Sequence, residues 1–566
     1  MSEVQLTING QSVTAQSGQT ILEAAQAAGV DIPVLCYHPA LSSWGACRMC
    51  LVEVKGMRGL QTACTCPVAD GMEIQTETEG AVEVRKFVLE LLFAERNHYC
   101  MFCQMSGDCE LQDAAYRYGL DHFTYPRPFQ KLEVDASRKY FIMDHNRCIL
   151  CTRCVRACSE IVANHTLDIR ERGADSMIMA DLNVPFGDSS CVECGTCLQV
   201  CPTGALIDAR SAYGGREKDV VHTETTCMQC SVGCTLDVVT RYNRLLRVDG
   251  VWGSEPNDGL LCVDGRFTPL YEERKRVTAP MIRRDGKLVE TGWDEALGIV
   301  AEKLKAGKVQ GLATCATTNE GLKAFKQLFS KVEGEAGLLE PVAPALGYGM
   351  EAKLADILDA DFIVVAGAQP LDYQRVVGYF VYRAGDQGAK VAVISDSKNT
   401  LSERADMTVS YADADKVAKA AADAKKVVLI YSVGIKGKVL ATFRQLGDKL
   451  FALPLSPGRN EKAAQALGLK PIEPNGAATQ YFLLGEQSED PALLKKLNGA
   501  FTVVQASYVS ALVEQADVVL PAPLWYERTG HFTDLEGAVK TITEVLPKPA
   551  TVRDDADVLA ALADLL

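Results

Sequence analysis

Cysteine and histidine crowd the first half of the chain at spacings that suit metal chemistry. The stretch HYCMFCQMSGDC places Cys100, Cys103 and Cys109 at C-x2-C-x5-C, with His98 two positions ahead of the first. Upstream, Cys36, Cys47, Cys50 and Cys64 form C-x10-C-x2-C-x13-C. Downstream, Cys148, Cys151, Cys154 and Cys158 form C-x2-C-x2-C-x3-C, and Cys191, Cys194, Cys197 and Cys201 repeat it, followed by Pro202. A last group, Cys227, Cys230, Cys234 and Cys262, reads C-x2-C-x3-C-x27-C. Twenty of the 21 cysteines lie between Cys36 and Cys262, and only Cys315 falls beyond them. Thiols at this density in a chain without a secretory start point to metal binding rather than to disulfides. Iron–sulfur clusters would carry single electrons; zinc would only staple a fold.

The repeated run is the most specific of these signals. It is the bacterial two-cluster ferredoxin pattern, in which the fourth cysteine of each run binds the other cluster. Cys148, Cys151, Cys154 and Cys201 are then expected to hold one [4Fe–4S] cluster. Cys191, Cys194, Cys197 and Cys158 are expected to hold the other. Cys36, Cys47, Cys50 and Cys64 suit a [2Fe–2S] cluster, with Gly45 easing the loop around it. Cys66 is a spare thiol.

The elements that must position these groups are partly legible. Residues 4–8 (VQLTI) alternate, Asn9-Gly10 is a tight turn, and 12–15 continue as a strand. Thr20 can cap a helix running to Ala28, with Gly29 ending it. Residues 49–54 are strand-like, which completes a small β-grasp outline. A helix over 81–96 is predicted, with its apolar positions at Val84, Phe87, Val88, Leu91 and Leu92. From about residue 290 the pattern becomes α/β: IVVAG (363–367), VAVIS (391–395), VVLIY (427–431) and FTVV (501–504) read as buried strands of a mostly parallel sheet.

The chain has 566 residues, 48% of them hydrophobic, which is enough for several cored domains. Its net charge of −15 argues against nucleic acid and anionic lipid as partners. The start MSEVQLTING lacks a signal-peptide pattern, and no apolar run reaches the roughly 18 residues of a membrane helix. A cytoplasmic protein without direct membrane insertion is expected.

Several stretches resemble known families. CYHPALSSWGACRMC resembles the N-terminal ferredoxin domain shared by the large iron–sulfur subunit of respiratory complex I, iron-only hydrogenases, and NAD-linked hydrogenases and formate dehydrogenases. HYCMFCQMSGDCELQ resembles the [4Fe–4S] motif of those families that uses one histidine and three cysteines. The resemblance implies His98, Cys100, Cys103 and Cys109 as ligands. In complex I the histidine usually stands four residues before the first cysteine, where this chain has Arg96. The shorter spacing resembles the diaphorase iron–sulfur subunit of soluble NAD-reducing hydrogenases. The Cys227, Cys230, Cys234, Cys262 set resembles the N-terminal [4Fe–4S] domain of molybdopterin oxidoreductases. RVTAPMIRRDGKLVETGWDEAL (276–297), DADFIVVAGAQP (359–370) and ADVVLPAPLWYERTGHFTDLEG (516–537) resemble the body of that family.

The expected architecture is multidomain α+β and α/β. It comprises a [2Fe–2S] ferredoxin-type β-grasp domain (1–78), a one-histidine/three-cysteine [4Fe–4S] domain (79–125) and a 2×[4Fe–4S] ferredoxin domain (136–215). A molybdopterin-oxidoreductase-type cluster domain (219–275) and a shortened α/β body (276–566) follow. The body is expected to hold no molybdopterin. Its segment 330–350 has no cysteine to bind molybdenum or tungsten, Asp264 stands where formate dehydrogenases usually have lysine, and the body is short for two pterin nucleotides. Cys315 is expected to be a buried core thiol. The expected cofactors are therefore one [2Fe–2S] and four [4Fe–4S] clusters, with no catalytic residue of the chain's own.

The resemblance implies an electron-relay subunit of a multi-subunit NAD(P)H-linked oxidoreductase. Its implied partners are a flavoprotein with FMN that binds NAD(P)H, a small thioredoxin-like [2Fe–2S] subunit, and a second catalytic subunit such as a hydrogenase. The rival readings are a molybdenum or tungsten formate dehydrogenase and an assembly protein with structural zinc.

Overall fold

The computed structural model describes residues 2–126, 131–497 and 499–566. They form two compact units, residues 1–220 and 221–566.

The first unit begins with a five-stranded sheet in the order Gln11–Gln16, Glu3–Ile8, Glu73–Gln75, Leu51–Val54, Gln61–Thr62. Its opening hairpin turns at Asn9 (φ 51°) and Gly10 (φ 81°), the left-handed pair that matches strand twist. Thr20 caps the helix Ile21–Ala27 through a reciprocal pair with Glu23, and Gly29 follows in a left-handed conformation. The sheet closes over Leu6, Ile8, Ile21, Leu22, Val52 and Ile74, all buried.

The helix Glu79–Glu95, capped by Thr78, differs from the expected face. Phe87 and Leu91 are 47% and 41% exposed, whereas Ala81, Arg85 and Leu89 are buried one above the other. Arg85 tolerates burial because the carbonyls of Met49 (2.9 Å) and Leu51 (2.8 Å), the Tyr118 hydroxyl (2.9 Å) and Glu77 take up its guanidinium. A buried charge whose three nitrogens all donate reads as a polar position in sequence yet serves as core. The remainder of this unit is built from short elements: a sheet of Leu206–Asp208, Phe141–Asp144 and Val134–Asp135, a hairpin of Leu167–Arg170 and Met177–Ala180, and helices Arg153–Arg156 and Thr196–Val200.

The second unit begins with a three-stranded antiparallel sheet, Val221–Thr226, Thr235–Arg241 and Arg244–Gly250. Its body holds two sheets where sequence suggested one. The strands Phe362–Ala366, Lys390–Ile394 and Val427–Ser432 belong to an all-parallel six-stranded sheet in the order 350–351, 450–455, 427–432, 362–366, 390–394, 407–409. Phe501–Ala506 lies instead in a seven-stranded sheet, whose parallel strands are extended by the antiparallel hairpin 281–290. Short buried-strand runs carry no label of the sheet they join, so this division was not legible. Ile363, Val364 and Val365 are fully buried, each contributing about 1.5–3 kcal/mol of hydrophobic stabilisation. In the six-stranded sheet the order reverses beside Phe362–Ala366, where open α/β sheets take ligands at strand carboxyl ends. Here a Cβ on Gly367 would meet the Tyr411 hydroxyl at 2.7 Å and Ile435 at 3.7 Å. Tyr411 and Ile435 thus stand close to the chain at that point. Among the described residues, no helix is long and apolar enough to cross a membrane.

Candidate iron–sulfur sites

The first donor set lies on the loop between the helix Ile21–Ala27 and the strand Leu51–Val54, with Cys64 from the turn beyond. Cys50 Sγ is 3.4 Å from Cys64 Sγ, and the Cys47 backbone N–H donates to Cys36 Sγ at 3.5 Å. Contact with Cys47 and Cys64 depresses the Cys36 thiol, while Cys47 and Cys64 are pushed up. These four sulfurs share a single space. Cys66 lies apart, directed at the Pro67 carbonyl at 3.8 Å.

His98, Cys100, Cys103 and Cys109 line one cavity, with Arg147, Thr203 and Gly204 on its wall. The His98 ring stands edge-on to Phe93 at 5.4 Å, which fixes its tilt. Arg96, at the alternative position, is buried and donates to the Ser176 carbonyl at 2.6 Å. Burial raises the Cys109 thiol to about 12. Gly204 lies so close that a Cβ there would sit 2.5 Å from Cys103 Sγ.

The two repeated runs fold alike. Leu150 and Thr152 in the first, and Glu193 and Gly195 in the second, take left-handed backbone at matching places. In each, the N–H of the middle residue donates to the preceding thiol at 3.4 Å: Leu150 to Cys148 and Glu193 to Cys191. Such turns aim backbone N–H groups at the space between the sulfurs, as anionic clusters require. Gly195 accepts this backbone freely, whereas Thr152 is β-branched and strained there. Arg156 holds it, donating through Nε to Thr152 Oγ1 at 3.3 Å.

The Cys148, Cys151 and Cys154 thiols are raised by burial first and by one another and Cys201 after it; Cys148 stands at about 11. Cys158, Cys191, Cys194 and Cys197 line a separate cavity. The structure thus brings Cys201 to the first run and Cys158 to the second.

In the second unit, Cys227, Cys230 and Cys234 lie on the turn between the strands Val221–Thr226 and Thr235–Arg241, and Cys262 precedes the helix Val263–Arg266. Burial raises all four thiols, and each of Cys227, Cys230 and Cys234 is raised further by other members of the set. A Cβ on Gly265 would stand 3.5 Å from Cys227 Sγ and 4.0 Å from Cys262 Sγ. Thr225 and Thr226 donate to the Thr543 and Thr541 carbonyls, so this set is fastened to the late part of the chain. Cys230 and Cys262 border a cavity of about 320 Å³ that also meets Asp264, Arg274, Arg459 and Trp525. Asp264 accepts from Arg375 Nε at 3.0 Å. Cys315 is 1% exposed at the end of the strand Val309–Ala313, beside Glu340 and Glu461.

The chemistry of the donor sets fits iron–sulfur clusters. In the first set contact with neighbouring thiols favours the thiolate at Cys36, and in each of the other four burial and mutual repulsion raise thiols, a cost that bound iron offsets. Among the described residues, no group of three or more His, Cys, Asp or Glu side chains is arranged to hold a single metal ion.

Spacing reasoning missed the arginines around the sets. Arg153, 3% exposed, forms a bidentate pair with Glu110 (2.6 and 2.7 Å), the residue after Cys109. Arg156 reaches the loop of the first set. The only signal in sequence is their position on either side of Cys154.

Clustered thiols on mixed α/β domains mark an iron–sulfur protein of the oxidoreductase class. Comparison with known families agrees with this. Residues 1–79 match the 2Fe-2S iron-sulfur cluster binding domain, 85–123 the NADH-ubiquinone oxidoreductase-G iron-sulfur binding region, and 147–205 the 4Fe-4S dicluster domain. Residues 221–272 match the molybdopterin oxidoreductase Fe4S4 domain, and 276–430 with 455–565 match molybdopterin oxidoreductase. The chain is 29% identical to NADH-quinone oxidoreductase subunit 3 of Thermus thermophilus, over all of this chain and 83% of that protein. It is 28% identical to the mitochondrial NADH dehydrogenase [ubiquinone] iron-sulfur protein 1 of Solanum tuberosum, over 99% of this chain and 80% of that protein. With one NADH-quinone oxidoreductase subunit of Rhizobium meliloti it shares 38% identity over 58% of this chain and only 39% of that protein. A chain of an NAD+-reducing [NiFe]-hydrogenase structure shows 37% identity over 38% of this chain and 91% of its own, with a TM-score of 0.36. The present chain is also 26% identical to the mitochondrial NADH-ubiquinone oxidoreductase 78 kDa subunit of Candida albicans, over all of this chain and 83% of that protein, so its whole length is similar to subunits of NADH-linked oxidoreductases.

Proposed function

We infer that the chain is the iron–sulfur electron-relay subunit of a multi-subunit NADH-linked oxidoreductase. The observation that carries this reading is the contiguity of donor sets in the first unit. Cys154 and Cys158, donors to different sets, lie one helical turn apart, and Gly204, three residues after Cys201, touches Cys103 Sγ. Clusters bound there would accept and release single electrons over short gaps.

The proposed ligands are Cys36, Cys47, Cys50 and Cys64 for [2Fe–2S], and four sets for [4Fe–4S]. Those are His98, Cys100, Cys103, Cys109; Cys148, Cys151, Cys154, Cys201; Cys158, Cys191, Cys194, Cys197; and Cys227, Cys230, Cys234, Cys262. The first domain (1–78) is read as a β-grasp ferredoxin, followed by domains at 79–125, 136–215, 219–275 and 276–566. The chain's own residues supply thiolates, imidazole, inward backbone N–H groups and a wall against water. A flavoprotein with FMN, a thioredoxin-like [2Fe–2S] subunit and a second catalytic subunit such as a hydrogenase are the proposed partners, in the cytoplasm. No molybdopterin is expected. Asp264, held by Arg375, lines a cavity of about 320 Å³, small for two pterin nucleotides when a single drug-sized ligand takes about 300–1,000 Å³.

The test is anaerobic purification with its partners, followed by metal and sulfide analysis. About 18 irons, matching sulfide, and cluster reduction by NADH through a co-purifying flavoprotein are expected. Stoichiometric molybdenum or tungsten with formate turnover would replace this reading by the formate dehydrogenase one.

A further inference from the structure

Arg156 is 5% exposed and lies in the helix Arg153–Arg156, two residues after Cys154. Its guanidinium reaches into two donor sets at once. Nη2 donates to the Cys36 carbonyl at 2.5 Å and to the Cys151 carbonyl at 3.4 Å. Nη1 donates to the Ser42 carbonyl at 2.5 Å, and Nε to Thr152 Oγ1 at 3.3 Å. Cys36 and Ser42 belong to the loop of the first set, and Cys151 and Thr152 to the turn of the Cys148 set. One planar fork thereby fixes the register between two loops more than a hundred residues apart in sequence.

These four bonds end on neutral oxygens. They orient the cation between the two sets, while the Glu160 carboxylate takes the Ser42 N–H and hydroxyl. Arg153 makes the contrast: its guanidinium is matched bidentately by the Glu110 carboxylate.

We propose that Arg156 is a positioning residue shared by the [2Fe–2S] cluster and the Cys148-set [4Fe–4S] cluster, holding them in register and raising both reduction potentials together. The inference rests on the relay reading above. Adding an electron makes a cluster more negative, and a fixed cation at short range favours that state in a low-dielectric interior. The loop does not depend on Arg156 alone, because Glu160 also accepts from the Ser42 N–H (2.8 Å) and hydroxyl (2.6 Å). A variant at 156 therefore retains a second anchor.

The experiment is an EPR-monitored redox titration of the full-length protein with its partners, wild type against Arg156→Met and Arg156→Lys, with iron content measured in parallel. In Arg156→Met both potentials are expected to fall together, at unchanged iron, with the His98-set and Cys227-set signals unmoved. Arg156→Lys keeps the charge but cannot span both loops, so a smaller fall of the same sign is expected in both. Should Arg156→Met fail to load iron, Arg156→Lys decides alone. Unmoved potentials at full iron, or a shift confined to one of the two clusters, would overturn the proposal. Wild-type protein lacking either signal would instead overturn the relay reading on which it rests.

Discussion

Gly204 offers a sharp test of the site geometry, because it sits in one cysteine motif and touches a donor of another. Its backbone suits any residue, so Gly204→Ala changes only the space filled. The new methyl would stand 2.5 Å from Cys103 Sγ, 3.2 Å from Gln104 Nε2 and 3.5 Å from Met105 Cβ, where ordinary contact begins near 3.4 Å. Relief requires Cys103 Sγ to retreat by about 1 Å. Overpacking of this size costs about 1–3 kcal/mol. A thiolate held by iron cannot retreat without loosening the cluster, so the penalty falls on cluster affinity, about 5- to 150-fold. Iron should drop from about 18 towards about 14 per chain, with loss of one EPR signal and retention of the others. Gly80→Ala is the control: nothing lies within 4 Å of its added methyl, and alanine favours the helix Glu79–Glu95. Full iron and an unchanged spectrum in Gly204→Ala would refute the placement of Cys103 against the 201–204 turn.

Three further outcomes are expected. His98→Cys should keep its cluster and lower that cluster's potential alone, since thiolate is more negative than imidazole; a titration unchanged in this variant would remove His98 from the ligand set. Residues 1–220 expressed alone should bind about 14 irons, because four of the five sets lie within that unit, and an aggregated iron-free fragment would count against its independence. Burial raises Glu461 to about 7 from an ordinary 4.5, so stability present below the ordinary value is lost as pH rises through about 7, by on the order of 3 kcal/mol. Glu461→Gln should accordingly melt higher than wild type at pH 8 and nearly equally at pH 4, below both values; an equal difference at both would refute that assignment.

The donor sets were the most legible part of the chain, and the reason is local. In four of the sets three cysteines fall within a dozen residues, so spacing reports which thiols start close together, while Cys201, Cys158 and Cys262 reach their sets from further off in the chain. The hairpin at Asn9-Gly10 and the Thr20 cap were legible for the same reason. What failed to show depends on distant partners. Arg85 reads as a solvent-facing residue until the Met49 and Leu51 carbonyls are placed around it, and Phe87 and Leu91 read as core until that face is taken. Arg153 and Arg156 look like ordinary charges between cysteines, and only the folded chain shows them reaching Glu110 and the Cys36 loop. The split of the C-terminal strands between two sheets is likewise a tertiary choice that each run leaves open.

The burial of the fourth cysteine set bears on how the protein is made. Cys227, Cys234 and Cys262 are 5%, 4% and 7% exposed, and the strand leading into them is fastened to carbonyls 315 and 318 residues further along. A ribosome therefore delivers the donors long before the wall that encloses them. Iron and sulfide meet open donors during that interval, and afterwards the approach left is the cavity that Cys230 and Cys262 border. The cavity holding His98, Cys100, Cys103 and Cys109 has half-buried thiols, so its cargo can be exchanged in the finished molecule. Chains that miss iron would then carry two kinds of defect: one repairable through half-buried thiols, the other through a single cavity deep in the second unit.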